Sequence, residues 1–453
     1  MTSTTDARRI VIIGAGISGL AAGYRLARRA PQHSILLIDS HAEVGGKIRT
    51  RHLNGYTIED GPDSFLGTKP QAVELAHELG VPLQGVNLDT RRTYVLGDGE
   101  LHDLPEGLSG LVPAKLGPLL RSALLSPAGK ARVAAEWFVP RGSNEETTLG
   151  AFMRRRMGRE VYEKLVEPLT AGIYGGNGDE ISLSATFPQL LQLEQEHGSL
   201  LRGLRQRPRP RTATSPFLTP VAGTAALAGA VAGSLPRPPS LTTCATAISR
   251  RGGGWIVHTD RGEILADGVI LAVPAPVAGQ LLAPVDADLA AELLAVRYAP
   301  AATASLGFRL DKLPPLGPFH GYLVPRRERS PVMAVTWSSE KFDHRAPPGQ
   351  TLLRVFFGRA DQSIAAMEWE GLEELARSEL RERLGIAATP DIVATHVWND
   401  ALPQYALGHA ARVARIRARV ENLPRLSLAG AAYRGVGIPD CIQSGYDAAD
   451  HVT

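Results

Sequence analysis

The fold is decided by one stretch near the start of the chain, Arg9-Ile-Val-Ile-Ile-Gly14-Ala-Gly16-Ile-Ser-Gly19. Its continuous β-branched run over 9–13 predicts a parallel strand that is buried on both faces. The glycines predict a turn that opens a helix over 20–29, and the apolar run over 34–38 predicts a second strand ending at Asp39. A strand, a glycine turn, a helix and a second strand with a terminal acid form the βαβ unit that binds a dinucleotide.

Each part of this unit has a physical role. Gly14 allows the tight turn, Gly16 lets the backbone approach a pyrophosphate, and Gly19 lets helix and strand pack closely. The helix N-terminus offers free N–H groups and a positive dipole end to the phosphates. Asp39 is expected to accept hydrogen bonds from ribose hydroxyls, so the motif predicts a nucleotide cofactor.

A second glycine pair bears on which nucleotide is bound. It lies in Glu43-Val-Gly45-Gly46-Lys47-Ile-Arg49-Thr50, shortly after the acid, and suits another close approach of backbone to pyrophosphate. Lys47 and Arg49 supply positive charge, although the segment read alone is equally a turn with a basic face. At this spacing from the first motif, it resembles the flavin signature of the amine-oxidase-like FAD superfamily, which implies FAD rather than NAD.

The C-terminal segment shows the same pattern. Residues 426–430 predict a short buried strand, followed by Gly435-Val-Gly437-Ile-Pro-Asp440 and a helix over 441–452. In flavoproteins such a helix points its dipole at the pyrimidine end of the isoalloxazine, and the alternative is an ordinary capped helix. Together the two ends predict a discontinuous FAD-binding domain with other material inserted between them.

Composition excludes several other classes. With 453 residues, 44% hydrophobic and 21% charged, the chain predicts two or three globular domains rather than disorder. A net charge of +3 does not suggest a nucleic-acid binder. Two distant cysteines, Cys244 and Cys441, form neither a disulfide framework nor a zinc site, which favours a reducing compartment and a cytoplasmic location. No signal peptide is recognised at the N-terminus.

Two further stretches bear on contact with a membrane. Residues 212–236 carry no charge, but they are too polar and too often interrupted by proline for a membrane helix. They predict a loop followed by a buried helix over about 223–235. Arg154-Arg-Arg156 predicts a solvated helix face, with contact to anionic lipid as the alternative.

Motifs inside the chain resemble the oxygen-dependent protoporphyrinogen oxidase family, which includes bacterial enzymes that oxidise coproporphyrinogen III. The resemblance covers nearly the whole chain. The motifs are Gly61-Pro-Asp-Ser-Phe65, Ala171-Gly-Ile-Tyr-Gly-Gly176, Leu183-Ser-Ala-Thr-Phe-Pro188, Leu193-Glu-Gln-Glu-His-Gly-Ser-Leu200, Trp398-Asn-Asp-Ala-Leu-Pro-Gln-Tyr405 and Val436-Gly-Ile-Pro-Asp-Cys-Ile442.

The resemblance implies a set of FAD contacts. Relatives often have Glu where Asp39 stands, Val where Ala245 stands, and a glycine pair where this chain has Ala222-Gly223-Thr224. The implied contacts are Gly14, Ala15, Gly16, Ile17, Ser18, Gly19, Asp39, Ser40, Lys47, Gly61, Pro62, Asp63, Ser64, Ala245, Trp398, Val436, Gly437 and Ile438.

The resemblance also implies substrate contacts. Arg91, or its neighbour Arg92, falls where relatives bind a propionate, and an arginine suits a planar carboxylate. Leu323 and Phe356 fall on apolar positions that sandwich a pyrrole ring, Gly172 falls on a backbone contact, and Asp63 is a further substrate candidate. We expect no catalytic side chain and no metal ligand, since the flavin carries the chemistry.

The expected fold is α/β, with a Rossmann-like, discontinuous FAD-binding domain, an inserted α+β substrate domain and a helical domain. The predicted boundaries are 6–88, 217–277 and 424–453 for the FAD domain, 89–105 and 278–423 for the substrate domain, and 106–216 for the helical domain.

The expected reaction removes six electrons from a porphyrinogen, either protoporphyrinogen IX or coproporphyrinogen III, in haem biosynthesis. Oxygen would be the electron acceptor and hydrogen peroxide the product. No second dinucleotide motif is present in the sequence, which argues against a reductase fed by NADPH. The alternatives are a flavin amine oxidase, a carotenoid-type desaturase and a porphyrin carrier without turnover. Peripheral contact with the inner face of a membrane and a homodimer are left open.

Overall fold

The structure is a computed structural model that describes residues 7–90, 92–106, 108–109, 111–113, 116–143, 145–206, 215–359 and 369–453. Within these ranges the strands are β1 (Arg9–Ile13), β2 (Ser34–Ile38), β3 (Thr50–Leu53), β4 (Tyr56–Glu59), β5 (Phe65–Leu66), β6 (Leu83–Gly85), β7 (Thr93–Gly97), β8 (Glu100–Asp103), β9 (Leu108–Ser109), β10 (Val112–Pro113), β11 (Phe217–Pro220), β12 (Ala245–Arg251), β13 (Gly254–Thr259), β14 (Gly262–Ala266), β15 (Gly268–Leu271), β16 (Tyr298–Arg309), β17 (Gly321–Leu323), β18 (Val332–Trp337), β19 (Gln350–Phe357), β20 (Ile392–Pro403) and β21 (Leu426–Leu428).

The α-helices of the same ranges are α1 (Ile17–Arg29), α2 (Pro70–Glu78), α3 (Leu116–Arg121), α4 (Pro127–Ala134), α5 (Leu149–Met157), α6 (Arg159–Val161), α7 (Glu167–Tyr174), α8 (Leu183–Thr186), α9 (Pro188–His197), α10 (Leu200–Gln206), α11 (Ala225–Gly233), α12 (Ala275–Leu282), α13 (Ala287–Leu294), α14 (Ser338–Lys341), α15 (Trp369–Leu384), α16 (His409–Val420) and α17 (Ile438–Val452).

The predicted βαβ unit contributes two neighbouring strands to a parallel sheet with strand order β2-β1-β15-β21 in the described chain. Strand β1 pairs in parallel with β2 on one side and β15 on the other. Alternate residues point to opposite faces: Ile10 and Ile12 pack with helices α1, α11 and α17, while Val11 and Ile13 pack with β13 and α12. Burial on both faces explains why β1 is a continuous apolar run.

A second, largely antiparallel sheet has the order β20-β16-β19-β18-β17-β7-β8 in the described chain. One of its faces forms an apolar core with helix α15, in which Tyr322, Val335 and Phe357 meet Leu372 and Leu380. Its opposite face is less completely covered. The loop after β4, which leads into β5, lies against that face, so the sheet and the nucleotide-binding unit adjoin.

The middle of the chain is mostly helical, as predicted, with α3 to α10 around a core that includes Phe152, Met157 and Leu165. Two corrections apply. The stretch predicted as helical also contains the short strand pair β9 and β10. Arg156 is not on a solvated face: its side chain is fully buried and pairs with the equally buried Glu136.

The uncharged stretch around 212–236 contains a strand that we did not predict. Residues 215–216 lead into β11, which pairs with β5 and β6, and helix α11 follows at Ala225, close to where the sequence predicts it. Short strands are missed because their pairing partners lie far away in sequence. Over the described ranges, no helix combines the length and apolarity needed to cross a membrane.

Candidate active site

The first glycine turn joins β1 to α1 and leaves space for a ligand at one position only. Gly14 has φ +110°, and a β-carbon there or on Gly19 would overlap backbone atoms. A β-carbon on Gly16 would meet nothing within 4 Å. Gly16 is also the N-cap of α1 and provides no side chain to cap it. The free N–H groups at this helix end are therefore available to an anion.

The second glycine pair lies directly beside the first turn. Gly45 N–H donates to the carbonyl oxygen of Ala15 at 2.8 Å, and Gly16 and Gly45 form an isolated parallel bridge. Gly46 has φ +60°, and a β-carbon there would lie 3.2 Å from the Cα of Gly16. The two glycine segments, separate in sequence, therefore form one surface of exposed backbone.

Asp39, the predicted acidic residue, lies at one end of this surface. Oδ2 of Asp39 accepts a hydrogen bond from Ala15 N at 2.6 Å, and Oδ1 accepts one from His41 N at 2.8 Å. Ser40, which follows it, is exposed. The backbone of Asp39 also bonds to Ser240 and Thr243, which brings Ala245, at the start of β12, towards the same end.

Helix α17 presents a second uncapped N-terminus. It packs alongside α1 so closely that a β-carbon on Gly445 would overlap Ser18 O, and Arg25 pairs with Asp450 at 2.8 Å. The two contacts run in the same order along both helices, so the helices are parallel. The N-cap residue of α17, Gly437, has no side chain to cap the helix. At 1.5 Å per residue, the start of α17 lies about 10 Å beyond this contact.

The N-terminus of α11, by contrast, is already satisfied. Glu59 accepts hydrogen bonds from Thr224 N at 2.9 Å and from its hydroxyl at 2.6 Å. Burial raises the pKa of Glu59. The departure of the Gly223-Thr224 turn from the family pattern thus coincides with a helix end that offers nothing to a ligand.

Lys47 extends from the second glycine segment towards the C-terminal part of the chain. Its Nζ donates to Ala401 O at 2.7 Å and lies 5.0 Å from the ring of Tyr298. Burial lowers the pKa of Lys47 to about 8. Trp398, which lies on strand β20 like Ala401, donates from Nε1 to Asp60 O at 2.9 Å. A β-carbon on Gly61 would overlap the backbone oxygen of Lys47, so Lys47 and Trp398 both lie against the segment that begins at Asp60.

That loop, residues 60–64, lies between the nucleotide unit and the second sheet. Gly61 O accepts a hydrogen bond from Arg354 Nη2 at 2.6 Å, and Asp63 accepts one from the Ser64 hydroxyl at 2.7 Å. Lys341 Nζ donates to the other oxygen of Asp63 at 2.8 Å. Burial alone would raise the pKa of Asp63, but the charges of Lys341 and Arg354 hold it well below its usual range.

Leu323 and Phe356 lie on the same face of the second sheet. In the strand register both are paired with Ala334, which lies between them on β18. All three are half-buried, while the neighbours Tyr322, Val324, Val335, Val355 and Phe357 point into the core with α15 and are buried. The row is more open than these neighbours, and Leu323 within it also packs against the helical core. The Arg354 guanidinium lies 4.5 Å from the Phe356 ring centre.

Helix α7 borders this row. At its start, Glu167 pairs with Arg359, which also donates to Val324 O just after β17. At its end, a β-carbon on Gly175 would meet atoms of Leu402 and Gly358 at 3.2 and 3.5 Å. The helix therefore crosses the strand ends beside the row, and the exposed Gly172 leaves open space on it.

Not every predicted residue can be placed. Arg91 lies outside the described residues. Its neighbour Arg92 is exposed, and its carbonyl oxygen accepts a hydrogen bond from His320 N at 2.7 Å. Pro62, Val436 and Ile438 lie in the segments described above, at the loop and at the start of α17. Among the described residues, no group of three His, Cys, Asp or Glu side chains is arranged to hold a metal.

Two charged residues of the site were missed from sequence. Arg354 could have been noticed, since it interrupts an apolar strand, and a charge in a buried strand needs a partner. Lys341 carried no such signal, because its partner Asp63 is 278 residues away.

The residues present fit a flavin dinucleotide. Gly16 leaves the space that a pyrophosphate would take, and the uncapped N-termini of the parallel helices α1 and α17 point to the same side. A β-carbon at Gly16 would occupy that space, which accounts for glycine there.

Comparison with known proteins agrees with this fit. Residues 17–453 match the model of the family described as flavin containing amine oxidoreductase. The chain is 34% identical to coproporphyrinogen III oxidase of Bacillus subtilis, over 97% of this chain and 96% of that one. It is 31% identical to human protoporphyrinogen oxidase, over 98% of each. A solved structure from Exiguobacterium sp., described as a protoporphyrinogen oxidase, is 35% identical with a TM-score of 0.88, covering 98% of both chains.

Proposed function

Because the chain belongs to the family of flavin-containing amine oxidoreductases, we propose that it is a porphyrinogen oxidase that uses FAD. The observation that carries the proposal is the half-buried row Leu323, Ala334 and Phe356, which adjoins the nucleotide site through the loop 60–64. A flat apolar face of this kind suits a large ring system. The names of the relatives aligned over the whole chain support the same substrate class.

The residues proposed to hold FAD share exposed backbone or a position at its edge. The N-termini of α1 and α17 would stabilise negative charge, on the pyrophosphate and on the flavin ring respectively. The residues proposed to hold FAD are Gly14, Ala15, Gly16, Ile17, Ser18, Gly19, Asp39, Ser40, Lys47, Gly61, Pro62, Asp63, Ser64, Ala245, Trp398, Val436, Gly437 and Ile438.

When bound, FAD would supply a two-electron acceptor for each of three dehydrogenation steps, and reoxidation by three molecules of oxygen would give three of hydrogen peroxide. The protein supplies position and an apolar environment. Leu323 and Phe356 would contact the tetrapyrrole, and the open side of Gly172 would let it lie against the backbone of α7. Arg91 stays a predicted propionate contact. No side chain is assigned as a general base.

Other sequence-based expectations also stay predictions. These are the domain boundaries, the homodimer, the peripheral contact with a membrane, and the use of oxygen as acceptor.

The proposal is tested by anaerobic reduction of the flavin. Purified, FAD-loaded protein is mixed with coproporphyrinogen III or protoporphyrinogen IX without oxygen, and absorbance near 450 nm is followed. We expect bleaching together with porphyrin formation. A porphyrinogen that binds without bleaching the flavin would indicate a carrier, and bleaching only by an amine or a carotene would assign the other activities of the superfamily.

A further inference from the structure

The charged side chains around the loop 60–64, beside the open row, differ in how far they are exposed to solvent. Asp63 faces two cations, Lys341 and Arg354, and a third cation, Arg345, lies close to Glu59 at 3.7 Å. The side chain of Lys341 is 20% exposed and that of Asp63 is 19% exposed. Arg345 and Arg354, at 2% and 3%, are out of reach of solvent. Lys341 is therefore the accessible cation of this group.

Asp63 cannot itself bind a carboxylate group. The two nearby cations keep it ionised, and two ionised carboxylates at contact distance repel each other. Asp63 can, however, hold the ammonium group of Lys341 in place. Because the charge of Arg354 also acts on Asp63, an arriving carboxylate can share Lys341 without leaving Asp63 uncompensated.

The position of Lys341 is fixed from both directions. Its carbonyl oxygen accepts a hydrogen bond from Asn87 N at 2.9 Å, and that of Glu340 accepts one from the Thr90 hydroxyl at 2.7 Å. The ammonium group lies 5.0 Å from the ring of Phe342, which is buried beneath it. A side chain held in this way loses little conformational entropy when it binds a ligand.

We propose that Lys341 binds a carboxylate substituent of the substrate and that Asp63 is the positioning residue for its ammonium group. The inference rests on the proposed function and extends it to the carboxylate substituents at the edge of the tetrapyrrole ring. It makes this site a determinant of preference for substrates that carry a carboxylate at the position facing Lys341, since a charge-assisted hydrogen bond stabilises only a ring with a carboxylate there.

The test measures porphyrin binding to FAD-loaded protein by quenching of the protein's tryptophan fluorescence. Coproporphyrin III, with four carboxylates, and protoporphyrin IX, with two, are titrated into wild type, Lys341→Met, Lys341→Arg and Asp63→Asn. The control is Lys312→Met, which removes a lysine that is 51% exposed and lies in the turn after β16. FAD affinity and Tm are recorded for each variant, so that a folding defect is recognised.

We expect Lys341→Met to weaken binding of coproporphyrin III about tenfold and to reduce its salt dependence. Lys341→Arg should restore most of the affinity, and Lys312→Met should leave it unchanged. Asp63→Asn should weaken binding less and leave the salt dependence in place. Equal affinity of wild type and Lys341→Met would overturn the inference.

Failure of the proposed function gives a different result. A wild type that binds neither porphyrin and oxidises neither porphyrinogen would overturn both claims. A wild type that oxidises a porphyrinogen, with KM unchanged in Lys341→Met, would overturn only the role of Lys341. A parallel loss of FAD affinity and Tm that Lys341→Arg fails to restore would assign Lys341 a structural role instead.

Discussion

At the scale of single residues, Gly16 and Gly19 show that two glycines of one turn are required for different reasons. A β-carbon on Gly19 would overlap Gly14 O within the protein, whereas one on Gly16 would meet no atom of the described residues within 4 Å. We therefore predict that Gly16→Val folds with nearly wild-type Tm as apoprotein but loses more than about tenfold in FAD affinity. Gly19→Val should fail to fold.

The measurement is a fluorescence titration with FAD, together with thermal unfolding of the apoprotein. Gly233→Val, which also adds a side chain in open space, is the control and should bind FAD normally. Wild-type FAD affinity in Gly16→Val would show that the ligand does not approach this backbone.

We predict that Lys47 makes FAD binding depend on pH. Because burial lowers its pKa to about 8, Lys47 in the apoprotein changes from mostly charged at pH 7 to mostly neutral at pH 9. A neutral amine attracts a pyrophosphate less strongly, so the Kd for FAD should rise about three- to tenfold over this interval. Titrations at pH 7, 8 and 9 measure it.

Two variants isolate this effect. Lys47→Met should bind FAD weakly with no change between pH 7 and 9, and Lys47→Arg, which stays charged, should also lack the change. A wild-type Kd that is constant from pH 7 to 9 would contradict a role for Lys47 at the cofactor.

At the scale of elements, the contact between α1 and α17 reverses an ordinary rule. Replacing an exposed helix glycine by alanine stabilises a protein by about 0.5–1 kcal/mol, and this is expected of Gly229→Ala in α11. Gly445→Ala should instead destabilise by about 1–3 kcal/mol, because its β-carbon would overlap Ser18 O. Denaturant unfolding of both variants measures the difference. A stabilised Gly445→Ala would mean that the two helices are farther apart.

The elements also show what a sequence can predict. Strands β1 and β2 match the predicted residues because each carries its apolar pattern within itself. Strand β11 and the pair β9–β10 were missed, because two to four residues contain no period and depend on distant partners. Helix α17 begins at Ile438, three residues before the predicted run 441–452, and Pro439 lies in its first turn, where a helix tolerates it.

At the scale of the whole molecule, the cofactor motifs were recognisable because each is continuous in sequence. Leu323 and Phe356 were named only through the family resemblance, since they and Ala334 come from three strands and meet only in the sheet. The burial of Arg156 against Glu136 likewise depends on elements that no local pattern relates. The sequence-based prediction of an α/β flavoenzyme fold is confirmed, while individual site residues stay proposals.

The central claim is that this fold oxidises porphyrinogens, and an aerobic assay tests it most directly. FAD-loaded protein is given coproporphyrinogen III and protoporphyrinogen IX in parallel, while porphyrin emission and hydrogen peroxide are recorded. We predict that emission rises with three equivalents of peroxide per porphyrin and that coproporphyrinogen III is oxidised faster, as the charge at Lys341 favours. No emission above the rate without enzyme from either compound, with the flavin still oxidised, would contradict the account.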